Sequence, residues 1–439
     1  MYEGGIVFAP IGIGIIAIWN GIACNMILRC KDACKDESYP VGLSSTYSQL
    51  SYSATGIIGS VITDMSIILT LLGVCCTYQI AFTDLLSAVP GFSILSKLSL
   101  HLLFALFVCP LVMVKNITFL SSFSLSGLIC IFISIICIFG FGLELYGKKV
   151  LDEHNFLGLN ENVFHLHYWP SSMYGLGLAI GVSIFCFGLP SLIFPIEESM
   201  KNKSHIGKVI ATALLFVWLV YFIVGDGLAI LYINDPNGLQ ENMLKNLPQS
   251  SPIASVVRIS MALTCLTTYP LTFIPPSTMI EQLIIQNLSF WNLNGRYRYR
   301  SIFSNRKDNI EEEEVSVSMR LLVRGILIMF TTVTARLVPC FGGIIIIIII
   351  IIIIIIIIID VIAVIGCFTV SILSFIMPPL LHLKLISYPN YISDKTKFSL
   401  LMDYIYDALM LGLGLILWIV GTFITVNGIY IRLRLGNSC

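Results

Sequence analysis

The chain has 439 residues, 57% of them apolar and 11% charged, and its basic and acidic side chains balance to no net charge. Soluble globular proteins carry about 25% charged residues, so this composition, with a mean hydropathy of +0.92, excludes a soluble multidomain protein. The balanced charge also argues against nucleic acid as a partner. We therefore predict an all-α polytopic protein embedded in a lipid bilayer.

Ten segments have the roughly 20 mostly apolar residues that a membrane-spanning helix needs. Because backbone groups in hydrocarbon must find hydrogen-bond partners within the protein, these segments are predicted to be helices. They lie at residues 6–28, 57–83, 98–114, 119–143, 174–196, 209–233, 254–284, 321–341, 361–386 and 404–431.

The lysines and arginines set the predicted orientation. If the loop after the first span is cytoplasmic and later loops alternate, 17 basic residues lie on the cytoplasmic side and 8 on the other. This bias is typical of cytoplasmic loops. Residues 287–320 then form a cytoplasmic loop, interpreted either as a solvated segment or as a basic patch on anionic lipid with an acidic counterweight.

One segment is low-complexity sequence, an unbroken run of sixteen isoleucines at residues 344–359. Such a run carries no chemistry. As a helix it would be about 24 Å long, shorter than the roughly 30 Å hydrocarbon core. We expect an apolar extension at the outer surface, although the basic-residue split, 16 against 9 if the run crosses the membrane, leaves a further span open.

Enzyme signatures are absent from the sequence, which has no HExxH, GxSxG, P-loop or strand-borne GxGxxG pattern. Most of the 13 cysteines lie inside apolar runs, where cysteine behaves as a small apolar residue. His165 and His167 have no third metal ligand near them in the sequence. We expect a protein that is not an enzyme and has no metal site or organic cofactor.

The fifth predicted span has the composition of an interrupted helix, with Gly188 and Pro190 inside an apolar run. Proline removes a backbone donor and clashes with the preceding turn. Transporters bind their solutes where helices unwind near the midplane of the membrane, and the N-terminus of a half-helix attracts a carboxylate. On composition alone, close packing through small residues with a simple proline kink explains the pattern equally well.

Polar side chains in other spans give further candidates. Thr264, Thr267 and Thr268 of the seventh span could bind a solute or an ion, although membrane threonines more often bond to their own helix. Ionisable groups inside a membrane are costly and are candidates for function. Asp64 could carry a proton if it is buried, or could lie one turn from the cytoplasmic interface. Asp226 is expected to be an interfacial cap.

Six stretches, spread over nearly the whole chain, form a pattern of motifs in a fixed order. They are Ile27–Cys34, Asp64–Tyr78, Ile184–Gly188 with Phe194–Met200, Tyr269–Phe273, Val338–Gly342 and Ser374–Lys384. In sequence and order they resemble the amino acid/auxin permease family, whose members are proton-coupled or sodium-coupled amino acid transporters.

The resemblance implies a LeuT-type fold of eleven helices, ten of them in two inverted repeats of five helices. The ten spans would be helices two to eleven, and the fifth span would be helix six, one of two helices unwound around the amino acid. The residues expected to bind the amino acid are Ser183, Phe185, Phe187, Gly188, Pro190, Thr264 and Thr267. Asp64 and Thr268 are the expected coupling-ion residues, with H+ or Na+ as the ion.

The sequence departs from the family pattern in three places. Residues 1–5 resemble the last residues of helix one and the following turn, so we expect a transporter domain, residues 1–439, that is truncated at its N-terminus. The isoleucine run separates residues 341–343 from 360–366, which are closely joined in the family. Gly188-Leu-Pro190 replaces a pattern with a glycine one or two places later and no proline.

The favoured function is secondary active transport of small neutral amino acids, with protons as the preferred coupling ion and alternating access as the mechanism. The resemblance places the protein in the plasma membrane or in a lysosome or vacuole. Two alternatives stay open: a non-transporting amino acid sensor or scaffold, and an inert truncated product.

Overall fold

A computed structural model describes residues 4–33, 45–113, 117–152, 167–170, 172–232, 244, 246–248, 251–291, 317–337, 358–386 and 397–434. Within these ranges the chain forms thirteen α-helices and no β-strand. In chain order the helices are α1 (Phe8–Ala33), α2 (Thr46–Ser87), α3 (Lys97–Met113), α4 (Ile117–Asp152), α5 (Met173–Cys186), α6 (Ile193–Ser199), α7 (Ile206–Tyr232), α8 (Pro252–Trp291), α9 (Val317–Leu337), α10 (Ile358–Ile365), α11 (Met377–Ile386), α12 (Lys397–Ile416) and α13 (Thr422–Arg434).

Shorter helical turns join some of these helices. Two 3₁₀ turns, Leu189–Leu192 and Lys203–His205, flank α6. Three π-helical segments interrupt the last two long helices: π1 (Gly366–Val370) and π2 (Ile372–Ile376) lie between α10 and α11, and π3 (Leu417–Gly421) lies between α12 and α13. Single π turns inside α-helices are frequent at functional sites.

The helices have the length and surface of membrane-spanning segments. Each of the ten predicted spans overlaps a helix. Eight helical stretches in the described ranges are long and apolar enough to cross a membrane, and α3 is a shorter apolar helix. Large apolar side chains face outwards, for example Leu401, Ile405 and Leu409 on α12, as expected beside lipid. The chain is an integral membrane protein of the all-α class, and the count of ten spans stays a prediction.

Two predicted irregular segments fall mostly outside the described residues. The predicted cytoplasmic loop at 287–320 is helical at both ends, because α8 extends to Trp291 and α9 begins at Val317. Residues 292–316 lie outside the described ranges. Of the isoleucine run, only Ile358 and Ile359 are described, and they begin α10.

The buried apolar side chains form two large clusters. The first contains Ile67 of α2, Ile184 and Phe187 at the end of α5, Phe194 of α6, and Val370 of π1. The second contains Phe82 of α2, Phe104 of α3, and Tyr269 and Phe273 of α8. Because α2 runs through both clusters, it joins the helices around α5 and α6 to the helices around α3 and α8.

The helices α5 and α10 approach each other through glycines. A Cβ atom on Gly181 would lie 2.5 Å from the backbone oxygen of Ala363, and one on Gly366 would overlap the backbone oxygen of Gly181. Small residues let helix backbones come this close inside a membrane. These contacts hold α5 against α10 and against the start of π1.

The first ten residues of α2 fold back on the rest of the helix. Gly56 has φ +71° and ψ −157°, which breaks the helix after Thr55, and a positive φ is easily adopted only by glycine. In an unbroken helix, residues 48 and 64 would be about 24 Å apart. Instead, the hydroxyl of Ser48 donates to Oδ2 of Asp64 at 2.9 Å.

The carboxylate of Asp64 stabilises the folded-back segment through hydrogen bonds to its first residues. It also accepts a hydrogen bond from the hydroxyl of Ser45 at 3.2 Å, and the same hydroxyl caps the helix by accepting from the N–H of Ser48. Thr63 donates to Ser51 at 2.8 Å in the next turn. Asp64 is 8% exposed, so its oxygens are largely withdrawn from water.

Substitution of Gly366 by valine is expected to destabilise the protein, because the new side chain meets backbone atoms of α5 that cannot move aside. Overpacking of this kind costs about 1–3 kcal/mol. The loss of stability is measured by heating samples of the purified protein and quantifying by size-exclusion chromatography the fraction that stays folded. Gly140→Val is the matched control, since nothing lies within 4 Å of a Cβ at that position. Equal melting temperatures for the two variants would contradict the close contact.

Substitution of Asp64 by alanine is expected to release the folded-back turn. Hydrogen bonds to a charged group contribute about 1.5–3 kcal/mol, and Asp64→Asn, which keeps one acceptor oxygen, should lose less than Asp64→Ala. A double-mutant cycle with Ser48→Ala, again by thermal unfolding, measures the coupling between the two side chains. Strictly additive losses would show that the hydrogen bond adds nothing to stability.

Candidate functional site

The interruption predicted in the fifth span is present. The helix α5 ends at Cys186, and helical structure resumes at Leu189 as a 3₁₀ turn that leads into α6. A proline ring clashes with the carbonyl four residues earlier, and for Pro190 that carbonyl belongs to Cys186, the last residue of α5. Phe187, at φ −112° and ψ 29°, lies outside helical geometry. We call residues 187–190 the break.

The backbone N–H groups at the break are already hydrogen-bonded. Phe187 donates to Ile184 at 3.3 Å, Gly188 donates to Phe185 at 3.1 Å, and Leu189 donates to Phe187 at 2.6 Å. The hydroxyl of Ser191 donates to the oxygen of Gly188 at 2.7 Å. In this conformation these groups stabilise the break itself, so a solute carboxylate would bind them only after a local rearrangement.

The side chains at the break are packed against other helices. Phe187 is buried, and its ring lies edge-on to Tyr221 of α7 with centroids 5.9 Å apart. Phe185 is partly buried in the same cluster, and a Cβ on Gly188 would lie 3.5 Å from Val370 of π1. Ser183 donates its hydroxyl to the oxygen of Ala179, one turn earlier in α5. The structure thus brings five predicted site residues together, Ser183 to Pro190.

The predicted threonines of α8 are hydrogen-bonded within their own helix. Thr264 and Thr268 donate to backbone oxygens of their own helix, Ser260 at 3.0 Å and Thr264 at 2.8 Å, and Thr267 donates to Leu263 and Thr264. Thr264 also faces Gly127 of α4. Their neighbours Cys265 and Leu266 belong to the second cluster, not to the cluster around the break. The hydrogen bonds favour the alternative that these hydroxyls serve their own helix.

Polar atoms that the sequence reasoning missed lie next to the break, on and around π1 and π2. The hydroxyls of Thr70 on α2 and Thr369 on π1 are 2.7 Å apart. Ser374 Oγ, Trp19 Nε1 and Trp418 Nε1 are buried and have no hydrogen-bond partner among the described residues. The rings of Trp19 and Trp418 contact Phe375 and Phe368. In the sequence, these polar atoms appear as isolated serine, threonine and tryptophan residues within apolar runs, and this was the signal that could have identified them.

The two predicted membrane carboxylates differ in their surroundings. Asp64 is buried, the condition stated for a proton carrier, and it also accepts hydrogen bonds from Ser45 and Ser48 at the start of α2. Asp226, expected to be an interfacial cap, is 6% exposed. Neither of its carboxylate oxygens has a hydrogen-bond partner among the described residues.

Ion pairs join helices that are separate in sequence, partly buried at Lys31–Glu197 and buried at Arg324–Glu281 and His382–Asp407. Lys31 of α1 lies 2.6 Å from Glu197 of α6, and Arg324 of α9 lies 2.9 Å from Glu281 of α8. His382 of α11 lies 2.8 Å from Asp407 of α12. The sequence alone did not reveal these pairings. Within the described ranges, no group of three His, Cys, Asp or Glu side chains could hold a metal ion.

Comparison with known proteins identifies relatives that match most of this chain. The chain is 22% identical over 420 residues to the amino acid transporter ANT1 of Arabidopsis thaliana, a match that covers 95% of this chain and 85% of the relative. It is 24% identical over 393 residues to the amino acid transporter AVT1E of the same plant, covering 87% of this chain but 62% of that relative.

A solved structure of a Na+-coupled sialic acid symporter, in a substrate-bound outward-open state, is also similar. The identity is 11% and the TM-score is 0.47, with 99% of this chain and 89% of that chain covered. At this level of likeness the LeuT-type inverted repeat stays a prediction.

The chain also matches a family model over nearly its whole length. A family model described as transmembrane amino acid transporter protein matches residues 1–426, and the relatives are transporters and not enzymes. The match confirms the resemblance found in the sequence motifs. The chain therefore belongs to the transmembrane amino acid transporter protein family.

Proposed function

We propose that the protein is a secondary active transporter that moves small neutral amino acids across a membrane together with protons, by alternating access around the break. The observation that supports this most is the interruption of a membrane-crossing helix at residues 187–190. It lies beside π1 and π2, where the buried hydroxyl of Ser374 has no hydrogen-bond partner among the described residues. Broken helices supply the solute sites of many secondary transporters.

The two halves of the broken helix are held by different parts of the protein. Before the break, Gly181 of α5 packs against α10, and the oxygen of Gly177 accepts a hydrogen bond from Thr425 of α13 at 3.4 Å. These contacts tie α5 to the last helices of the chain. A bend at the break would therefore move α6 while α5 stays against α10.

After the break, α6 is tied to helices from the start of the chain. Lys31 of α1 lies 2.6 Å from Glu197 and 5.2 Å from the ring centroid of Phe194. On the other side of Phe194 lies Tyr47 of α2, edge-on with centroids 6.1 Å apart. Under the predicted orientation these contacts close the cytoplasmic end below the break, and we propose that they separate when the protein opens inward.

The proposed amino acid contacts are the five predicted residues at the break, Ser183, Phe185, Phe187, Gly188 and Pro190. An amino acid has a carboxylate and an ammonium group, and both need partners of opposite partial charge when removed from water. Unwound backbone at the break supplies both N–H and C=O groups once its present hydrogen bonds open. Binding by Thr264 and Thr267 stays a prediction, as does a coupling-ion role of Asp64 and Thr268. Valine substitutions at the three threonines test their part in these roles.

Protons are the proposed coupling ion because the membrane helices bury groups that can take them up. Asp226, Asp407 and His382 are each at most 6% exposed. Sodium is the alternative ion, and plasma membrane or lysosome and vacuole are the proposed locations. The sensor or scaffold alternative would bind amino acids without moving them, or would bind a cytosolic partner through residues 287–320, of which 292–316 lie outside the described ranges.

Transport is tested with the 439-residue chain in liposomes preloaded with each of the twenty amino acids in turn. We expect exchange of labelled L-alanine against internal small neutral amino acids, and accumulation when the outside is more acidic than the inside. Accumulation that survives a protonophore but needs external sodium would replace the proton by sodium. Saturable binding of amino acids without exchange of any of the twenty would refute transport in favour of a sensor.

Pro190→Ala is expected to slow alanine exchange by roughly tenfold, because restoring the N–H and removing the ring favours a continuous helix by about 3 kcal/mol at that position. The amount of folded protein should not fall. Pro110→Ala is the matched control, since Pro110 lies within α3, away from the break, and its exchange rate should equal that of the unmodified protein. Equal rates for both variants would rule out a role of the break in transport.

A further inference from the structure

A histidine and a carboxylate meet inside the membrane-spanning part of the protein. Nδ1 of His382 lies 2.8 Å from Oδ2 of Asp407, and the two residues are 5% and 0% exposed. His382 belongs to the apolar stretch Ile362–Ile386 and Asp407 to the stretch Phe398–Gly428. The pair therefore joins two neighbouring helices where water does not reach it in this conformation.

This pair differs from the other ion pairs in having no permanently charged member. Lysine and arginine keep their charge near neutral pH, whereas histidine gains or loses a proton in that range. With one proton between the two groups, the pair is neutral overall. Without it, a neutral imidazole lies beside an ionised carboxylate, and a net negative charge is buried in a medium of low dielectric constant.

The helices packed around the pair carry few other charges at its level. Met410, one turn after Asp407, packs against Ala23 and Met26 of α1, which covers this side of the pair. The charged residues on α1, α2, α11 and α12 are Arg29, Lys31, Asp32, Asp64, Asp84, Lys384, Lys397, Asp403 and Asp407. Lys31 is paired with Glu197, Asp64 accepts from two serines, and Arg29 and Asp32 are exposed.

Two of these residues lie between the pair and the predicted cytoplasmic side. Asp403 lies four residues before Asp407, on the same face of α12, and is partly exposed, whereas Lys384 lies near the end of α11 and is exposed. Both are more exposed than His382 and Asp407, although the last two residues of α11, Leu385 and Ile386, are buried.

The pair is also connected to the break through one continuous stretch of helix. The helix α11 follows π2 and π1 directly, and Val370 of π1 lies next to Gly188. The backbone oxygen of Leu373 in π2 accepts a hydrogen bond from Tyr47 at 2.6 Å, and Tyr47 contacts Phe194 of α6. A shift of α11 would therefore alter the packing at Gly188 in the break and at Phe194 after it.

From these contacts we infer that the His382–Asp407 pair binds and releases the coupled proton, an inference that rests on the proposed transport function. On the acidic side a proton passes from water to the pair, forming one N–H bond and converting a net charge of −1 to a neutral pair. On the other side the N–H bond breaks and the proton returns to water. Sealing of the pair by α1 retains the proton during the conformational change.

The test compares accumulation with exchange in the same liposomes. For a one-to-one symporter, one pH unit supports up to about tenfold accumulation of alanine. His382→Gln and Asp407→Asn should show an accumulation ratio near one and a loss of accumulation that exceeds any loss of exchange, while Asp407→Glu, which keeps a carboxylate, should retain part of the accumulation. Glu281→Gln is the matched control, because it breaks a buried ion pair to Arg324 without removing the proposed proton site.

A purely structural role of the pair would lower stability and exchange together and leave accumulation proportional to exchange, and that result would overturn the inference. Absence of exchange in the unmodified protein would instead refute the proposed function. The proton site is then tested separately by NMR of imidazole-labelled protein, in which His382→Gln identifies the His382 signal. A signal that does not shift with pH, or that shifts identically in Asp407→Asn, would overturn the inference.

Discussion

A backbone N–H or C=O that lacks a partner inside a membrane costs several kcal/mol, and the irregular parts of this structure are arranged around that constraint. The carbonyl of Leu373 in π2 is bonded by the hydroxyl of Tyr47. At the end of α2 and before α8, the fully buried guanidinium of Arg258 donates to the oxygens of Ala88, Leu244 and Leu247. Arg324 donates in the same way to Val112 near the end of α3. Side chains thus complete the hydrogen bonding of the backbone at π2 and at these helix ends.

The same constraint makes the break a candidate for binding as well as for bending. Its N–H groups pair with carbonyls two or three residues away and not with the carbonyls four residues away that an α-helix uses. A ligand with a carboxylate and an ammonium group offers these atoms alternative partners. Because α5 is held by α10 and α6 by α1 and α2, exchanging internal bonds for bonds to a ligand changes how the two halves are placed relative to each other.

Features that depend on local sequence could be predicted, and features that depend on contacts between distant residues could not. Apolar runs located the spans, and Pro190 located the end of α5 through its clash with the carbonyl of Cys186. The hydrogen bond between Ser48 and Asp64 requires the helix to turn back at Gly56, which one glycine in an apolar run does not reveal. The α8 threonines were grouped with the break because their composition resembles a site, yet their hydroxyls bond within α8. Asp407 was missed because a lone carboxylate gives no indication of its partner until α11 and α12 are packed together.

The ion pairs are of two kinds: pairs that link helices and keep their charges, and a pair that can gain or lose a proton. Lys31–Glu197 and Arg324–Glu281 each contain a side chain that stays charged near neutral pH. Breaking the buried Arg324–Glu281 pair leaves a buried charge, whereas Lys31 and Glu197, with side chains 21% and 11% exposed, can be hydrated when they separate. Both pairs link helices and carry no variable charge. The His382–Asp407 pair is neutral with one proton and charged without it, so its stability in a sealed environment depends on whether that proton is bound. A protein that opens alternately to two sides changes the access of water to such a pair, and this links proton occupancy to conformation without any further group.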